Sequence, residues 1–145
     1  MLSYKTFWSI TIVQNFKMTA EKSILIADDE PDITEFISYN LVKQGYIVYK
    51  ANNGLQALEI ALFTKPELII LDIMMPEMNG FEASRKMREN VILDDSQIFF
   101  LSAMSENMAR TSGYQIFVDG FIAKPIAMKE LIVKINQILS VNPPQ

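Results

Sequence analysis

Four short apolar runs, each ending on a polar or charged residue, constrain most tightly what this chain can fold into. Ile24-Leu25-Ile26-Ala27 runs into Asp28, Asp29 and Glu30, and Leu68-Ile69-Ile70-Leu71 into Asp72. Ile98-Phe99-Phe100-Leu101 ends at Ser102, and Phe121-Ile122-Ala123 at Lys124. Runs apolar at consecutive positions have no polar face to leave in water. They suit strands of a parallel sheet covered by helices on both sides. Tyr46-Ile47-Val48-Tyr49-Lys50 is more mixed and reads as an edge strand.

The intervals between the runs carry helical spacing. Ile33, Phe36, Ile37 and Leu41 share one face, with Pro31 suited to a first turn and Gly45 to a left-handed stop. Leu55, Leu58 and Leu62 form the next face, closed by Pro66. Asn79-Gly80 leads into a helix carrying Phe81 and Met87, and Met128, Leu131, Ile132, Ile135, Ile138 and Leu139 make a final stripe. The Met and aromatic residues of these stripes are expected in the core. The order is strand–helix five times, a three-layer α/β sandwich. The 145 residues can enclose such a core in one domain, and no repeat, low-complexity tract or linker divides them.

The chain contains neither Cys nor His. That excludes disulfides, thiolate or imidazole metal sites, Ser-His-Asp catalysis and a phosphohistidine on this chain. Thirteen Lys and Arg against 17 Asp and Glu give a net charge of −4, which argues against a nucleic-acid surface. Residues 1–17 differ from the rest: they hold Lys5 and Lys17, no acid, and Phe7, Trp8, Ile10, Ile12, Val13 and Phe16. A signal peptide fits poorly, because Gln14-Asn15 interrupts the apolar stretch and no small-residue cleavage site follows. A membrane span needs about 20 apolar residues, which this segment lacks. The expected reading is an extension over residues 1–21, from a start assigned too early at Met1 rather than Met18 or from a flexible tail, then a domain over 22–141 and a tail over 142–145.

In an open parallel sheet, ligands bind beyond the carboxyl ends of the strands. Reading those ends gathers Asp28, Asp29 and Glu30, then Asp72, Ser102 and Lys124. Taken singly, each fits a helix cap, a turn or a surface charge. Together they are three or more carboxylates on one rim, where two charges about 4 Å apart repel by roughly 4 kcal/mol at an effective dielectric of about 20. A hard cation would relieve that repulsion, and all-oxygen ligation with room for water suits Mg²⁺. A carboxylate nucleophile, a hydroxyl and an ammonium around one small anion make up the parts of a phosphoryl-transfer site.

These segments resemble a two-component response-regulator receiver domain over roughly residues 22–141. The similarity rests on Ile24-Leu25-Ile26-Ala27-Asp28-Asp29-Glu30-Pro31, Leu71-Asp72-Ile73-Met74-Met75-Pro76-Glu77-Met78-Asn79-Gly80, Leu101-Ser102-Ala103 and Gly120-Phe121-Ile122-Ala123-Lys124-Pro125. The spacing agrees as well, with Ser102 30 residues after Asp72 and Lys124 22 after Ser102. The resemblance implies a flavodoxin-like fold with strand order 2-1-3-4-5. It implies Asp72 as phosphoacceptor, with Mg²⁺ held by Asp29, Asp72 and the backbone carbonyl of Met74, and by Asp28 largely through water. Lys124 and Ser102 would bind the phosphoryl oxygens, Phe121 would be the aromatic switch, and the Lys124–Pro125 bond would be cis.

The same resemblance implies a cytoplasmic, stand-alone signalling switch rather than an enzyme. Its partners would be a histidine kinase or phosphotransfer protein and a downstream protein target, with neither nucleic acid nor membrane involved. Dimerisation through helix 4, strand 5 and helix 5 is a further implication. Two other readings stay open: a pseudo-receiver that binds partners without phosphorylation, and an aspartyl-phosphate phosphohydrolase. The latter typically has a second Asp where this chain has Met74. The chain also departs from the family pattern in helix 4, where Phe117 replaces a usual Gly and Gly113 is expected inside the helix, at a cost of roughly 1 kcal/mol. Met74 and Met104, two residues after Asp72 and Ser102, lie where the family positions the water that hydrolyses the acyl phosphate, and neither side chain can activate it.

Overall fold

The computed structural model describes residues 22–140. The readings made for residues 1–21 and 142–145 therefore lie outside the described residues. Five strands, β1 (Ser23–Ala27), β2 (Ile47–Ala51), β3 (Leu68–Leu71), β4 (Gln97–Ser102) and β5 (Gly120–Ala123), alternate with five helices. These are α1 (Pro31–Lys43), α2 (Gly54–Thr64), α3 (Gly80–Arg88), α4 (Glu106–Arg110) and α5 (Met128–Leu139). A short 3₁₀ turn, Val91–Leu93, precedes β4. All pairings are parallel and the order is β2-β1-β3-β4-β5, the flavodoxin-like three-layer sandwich expected.

The apolar runs supply two cores because alternate side chains point to opposite faces. Leu25, Ala27, Ile69, Leu71, Ile98 and Phe100 pack with Ala57 and Ala61 of α2, Phe81 and Met87 of α3, and Ala109 of α4. Ile24, Ile26, Leu68, Ile70, Leu101 and Ile122 pack with Ile37 and Leu41 of α1 and Leu131, Ile135 and Leu139 of α5. Helices α1 and α5 thus cover one face, and α2, α3 and α4 the other. Parallel register then fixes the rim: Ala27 lies opposite Leu71, so the next step brings Asp28 beside Asp72.

Three sequence expectations need correction. Phe36 stays 60% exposed at the edge of α1, and Leu55 is also exposed, because α2 meets the sheet through the small residues Gly54, Ala57 and Ala61. The aromatic member of the α1 stripe, Phe36, is therefore not core, and Phe63 of α2, outside the named stripes, is 88% exposed. Gly113 is not inside a helix. Helix α4 spans only Glu106–Arg110, Thr111 caps it, and Gly113 lies beyond with φ 91°, a left-handed conformation that glycine adopts without strain. The chain then runs irregularly to β5, with Phe117 half-buried.

Two glycines begin helices for steric reasons. A Cβ on Gly54 would lie 1.9 Å from the carbonyl oxygen of Met78, and one on Gly80 would lie 2.5 Å from that of Asp72. The β3–α3 loop is therefore wedged between α2 and the end of β3, and the side chains of Asn53 and Asn79 cap the two helices beside it. Gly54→Ala is expected to destabilise the fold by about 1–3 kcal/mol, as overpacking against backbone does. A urea unfolding curve checks this, and an unchanged midpoint would show that the loop can yield.

Candidate functional site

Asp28 continues β1, where its N–H donates to the carbonyl of Ala51 at 3.1 Å. Its side chain is buried and held twice: Oδ1 accepts the N–H of Glu30 at 2.9 Å, and Oδ2 accepts Lys124 Nζ at 2.5 Å. The first bond closes a local turn at the entry to α1, whose first residue is Pro31. Asp72 extends β3 in the same way, its N–H donating to Ala27 at 2.9 Å. Its Oδ2 lies 3.6 Å from Lys124 Nζ. Asp29 is exposed, yet one carboxylate oxygen from each of Asp28, Asp29 and Asp72 lies within 4.8 Å of the others.

At 4.8 Å two carboxylates repel by about 3.5 kcal/mol at an effective dielectric of about 20. Lys124 is the counterweight among the described residues. Burial by itself would lower its pKa, but the hydrogen bond to Asp28 and the negative charges of Asp72 and Asp28 prevail and hold it above the ordinary lysine value. The ammonium is therefore charged throughout the neutral range. Three carboxylates against one ammonium still leave two negative charges at the rim. A dication is the ion that balances this, and an all-oxygen donor set with one exposed member leaves room for the waters that Mg²⁺ retains.

The remaining predicted residues fall at the same edge or near it. Ser102 ends β4, is buried, and its Oγ accepts the N–H of Met104 at 3.3 Å. The N–H of Lys124 donates to the Ser102 carbonyl at 3.0 Å, so hydroxyl and ammonium are carried on adjacent, hydrogen-bonded strand ends. The Lys124–Pro125 bond is cis. Met74 lies on the β3–α3 loop with its side chain 64% exposed, whereas Met104 is partly buried against the core. Phe121 is half-buried one residue into β5; its ring meets Phe100 edge-on at 5.4 Å, and the Arg110 guanidinium of α4 sits 5.4 Å from its centroid.

Other positions that shape the site carried little signal. Gly80 is one, readable only as an Asn-Gly pair. Tyr114 is another: its ring stacks on Phe81 at 4.5 Å and its hydroxyl lies 3.4 Å from Asn79 Nδ2, tying the irregular segment after α4 to the loop that follows Asp72. Neither contact has a periodicity to betray it.

Comparison with known proteins identifies the family and agrees with the fold. The response regulator receiver domain family matches residues 24–136, and the chain belongs to that family. It is 34% identical over 118 residues to the alkaline phosphatase synthesis transcriptional regulatory protein PhoP of Bacillus subtilis, covering 81% of this chain and 48% of that one. It is 35% identical over 118 residues to the phosphate regulon transcriptional regulatory protein PhoB of Pseudomonas aeruginosa, covering 81% and 52%. The chain thus spans about half the length of these curated relatives. Among solved structures, the response regulator TrrA of Thermotoga maritima in complex with Mg²⁺-BeF superposes with a TM-score of 0.70 at 33% identity, covering 81% of this chain and 99% of that one. The chemotaxis protein CheY4 of Vibrio cholerae superposes with a TM-score of 0.75 at 28% identity, covering 83% and 100%. Receiver domains are phosphoacceptor signalling switches that interact with histidine kinases and downstream effectors. Among the described residues, no helix is long and apolar enough to cross a membrane.

The ion cluster makes a stability prediction. Lys124→Met leaves the buried Asp28 carboxylate facing Asp72 without its cation, and is expected to cost about 3 kcal/mol, the low end for breaking a buried pair. Adding Asp28→Asn to that variant should recover much of the loss in urea titrations. Additive losses would show that repulsion is not the cause.

Proposed function

We propose that Asp72 is the phosphoacceptor of this chain and that Asp28, Asp29 and Asp72, with the backbone carbonyl of Met74, hold Mg²⁺. One observation carries the reading: the three carboxylates converge within 4.8 Å while Lys124 reaches both Asp28 and Asp72. When bound, Mg²⁺ supplies charge neutralisation for the attacking carboxylate and the phosphoryl oxygens. The chain does the rest. An Asp72 carboxylate oxygen attacks the phosphorus of a phosphohistidine on a kinase or phosphotransfer protein. The new P–O bond forms as the P–N bond breaks, and its electron pair leaves on the imidazole nitrogen.

The product adds about −1.5 to −2 charges at the rim. Lys124 then shifts from its carboxylate partners toward the phosphoryl oxygens. Ser102, which accepts the Met104 N–H, donates its own hydroxyl proton to one of them. Both movements pull on the ends of β4 and β5. Phe121 lacks the hydroxyl of a tyrosine, so its inward state rests on packing against Phe100 and on release of its contact with Arg110. The face that changes is α4, β5 and α5, which would bind a downstream protein or a second copy. The domain over 22–141 acts in the cytoplasm through protein contacts, and its acidic balance offers nucleic acid no attraction.

Incubation with acetyl phosphate and Mg²⁺ should add one phosphoryl group, read by intact-protein mass. Asp72→Asn or chelation of the metal should abolish it. A chain that folds and takes no phosphoryl group would be a protein-binding pseudo-receiver, and multiple turnover of a phosphate ester would make it a phosphohydrolase.

Lifetime is the second test. The exposed Met74 and half-buried Met104 flank the expected approach of hydrolytic water and offer it neither a hydrogen bond nor a base. Met74→Asn combined with Met104→Glu should release phosphate several-fold faster from the loaded protein, as seen in a decay time course. An unchanged rate would remove shielding as the explanation.

A further inference from the structure

Between α1 and α5 lies a cavity of about 630 Å³, lined by Ile33, Phe36 and Ile37 on one side and Pro125, Ile126 and Met128 on the other. Its walls are overwhelmingly apolar, and Phe36, at 60% exposure, keeps an aromatic ring open at its edge. We propose that this groove is the docking site for residues 7–16 of the same chain, a segment outside the described residues.

Three observations favour that occupant. The first is chemical: Phe7, Trp8, Ile10, Ile12, Val13 and Phe16 fall within ten consecutive positions, an apolar load suited to an apolar groove. The second is where the segment joins the domain. Lys22 Nζ donates to the carbonyl of Leu139, the last residue of α5, so the chain enters at the α1–α5 side of the sheet. Leu131 and Met128, both lining the groove, lie 8 and 11 residues before Leu139, about 12 and 16 Å along the helix axis. The six residues from Phe16 to Lys22 span up to about 20 Å when extended, enough to deliver the apolar stretch to the groove.

Charge is the third. Residues 1–17 hold Lys5 and Lys17 and no acid, and without them the chain has 11 cationic against 17 acidic residues, a net −6. Asp32 lines the groove, as does Lys124, whose ammonium is taken up by Asp28 and Asp72, and exposed Asp29 and Glu30 precede Asp32 at the same end of α1. The segment and the body are therefore of opposite sign where they would meet. The proposal concerns binding alone and stands whether or not Asp72 accepts a phosphoryl group.

Trp8 is the only tryptophan in the chain, so its fluorescence reports the segment directly. In the full chain its emission should be blue-shifted and acrylamide quenching several-fold weaker than for a free tryptophan peptide, at every dilution. Phe36→Glu should red-shift the emission and restore quenching, as should Ile12→Asp, which leaves the folded domain untouched. Phe63→Glu, an exposed ring on α2 across the sheet, should change neither. Three results would overturn the proposal: Trp8 quenched as freely as in a peptide, protection unaffected by Phe36→Glu and Ile12→Asp, or protection that vanishes on dilution. The last would assign the groove to the segment of a second copy.

Discussion

Like charges held together at the open end of a sheet are the constraint on which this molecule turns. Asp28 and Asp72 are neighbours because β1 and β3 pair in parallel with Ala27 opposite Leu71, and their backbones cannot separate without breaking that register. Asp29, exposed, brings a third charge to the same place. Among the described residues the answer is one ammonium, that of Lys124, drawn 96 residues along the sequence to Asp28. That compensation is incomplete by two charges. A rim built this way is poised for whatever supplies positive charge, and it is disturbed by whatever adds negative charge. Under the proposed function, metal affinity and sensitivity to a phosphoryl group would be two consequences of one electrostatic deficit.

Holding the deficit in place requires a rigid surround. Apolar β1 and β3 are buried on both faces, so the carboxylates sit on the least deformable strands of the sheet. The loop after Asp72 is fixed sterically, since Gly54 and Gly80 let backbone approach backbone where any side chain would collide. Glu77 within that loop takes a left-handed conformation, φ 68°, which a non-glycine residue adopts only where its surroundings impose it. Under the proposed function the labour would be divided between the strand-end carboxylates, which stay, and the long Lys124 side chain, which moves.

The strands and the rim were legible because both rest on patterns that composition alone cannot disguise. A run such as Leu68-Ile69-Ile70-Leu71 has few alternatives to a doubly covered strand, and a polar residue after such a run sits at a carboxyl end whatever the helices do. Helix faces were less legible where small residues do the packing. In α2 the leucines draw the eye, but Ala57 and Ala61 touch the sheet, because close approach of helix to sheet matters more there than side-chain volume. The place of Gly113 relative to α4 is hard to read in the sequence for a related reason. Gly113 is compatible with a weak helix or with a stop, and only its left-handed φ distinguishes the two. The Tyr114–Phe81 stack and the α1–α5 groove were illegible, being long-range contacts between residues with no shared period.

The short α4 bears on how a charge change at the rim would travel under the proposed reading. Rings of Tyr114, Phe81, Phe100 and Phe121 form an unbroken series of contacts from the loop after Asp72 to the outer edge of β5. Phe81 and Phe100, in the middle, are buried and fixed by the core; Tyr114 and Phe121, at the ends, are partly open. Contact alone does not make a conduit, since coupling needs an element with two arrangements that both sites bias. Under the proposed function that element would be the stretch from Glu106 to Asp119. Its five-residue helix commits few backbone hydrogen bonds, Ser105 caps it with a single side chain, and Arg110 at its end rests on the very ring that would turn inward. Twelve-residue α5 is held by Leu131, Ile135 and Leu139 in the core and yields less readily. Under the proposed function, displacement would therefore fall on α4 and the segment after it, where rearrangement breaks the least structure.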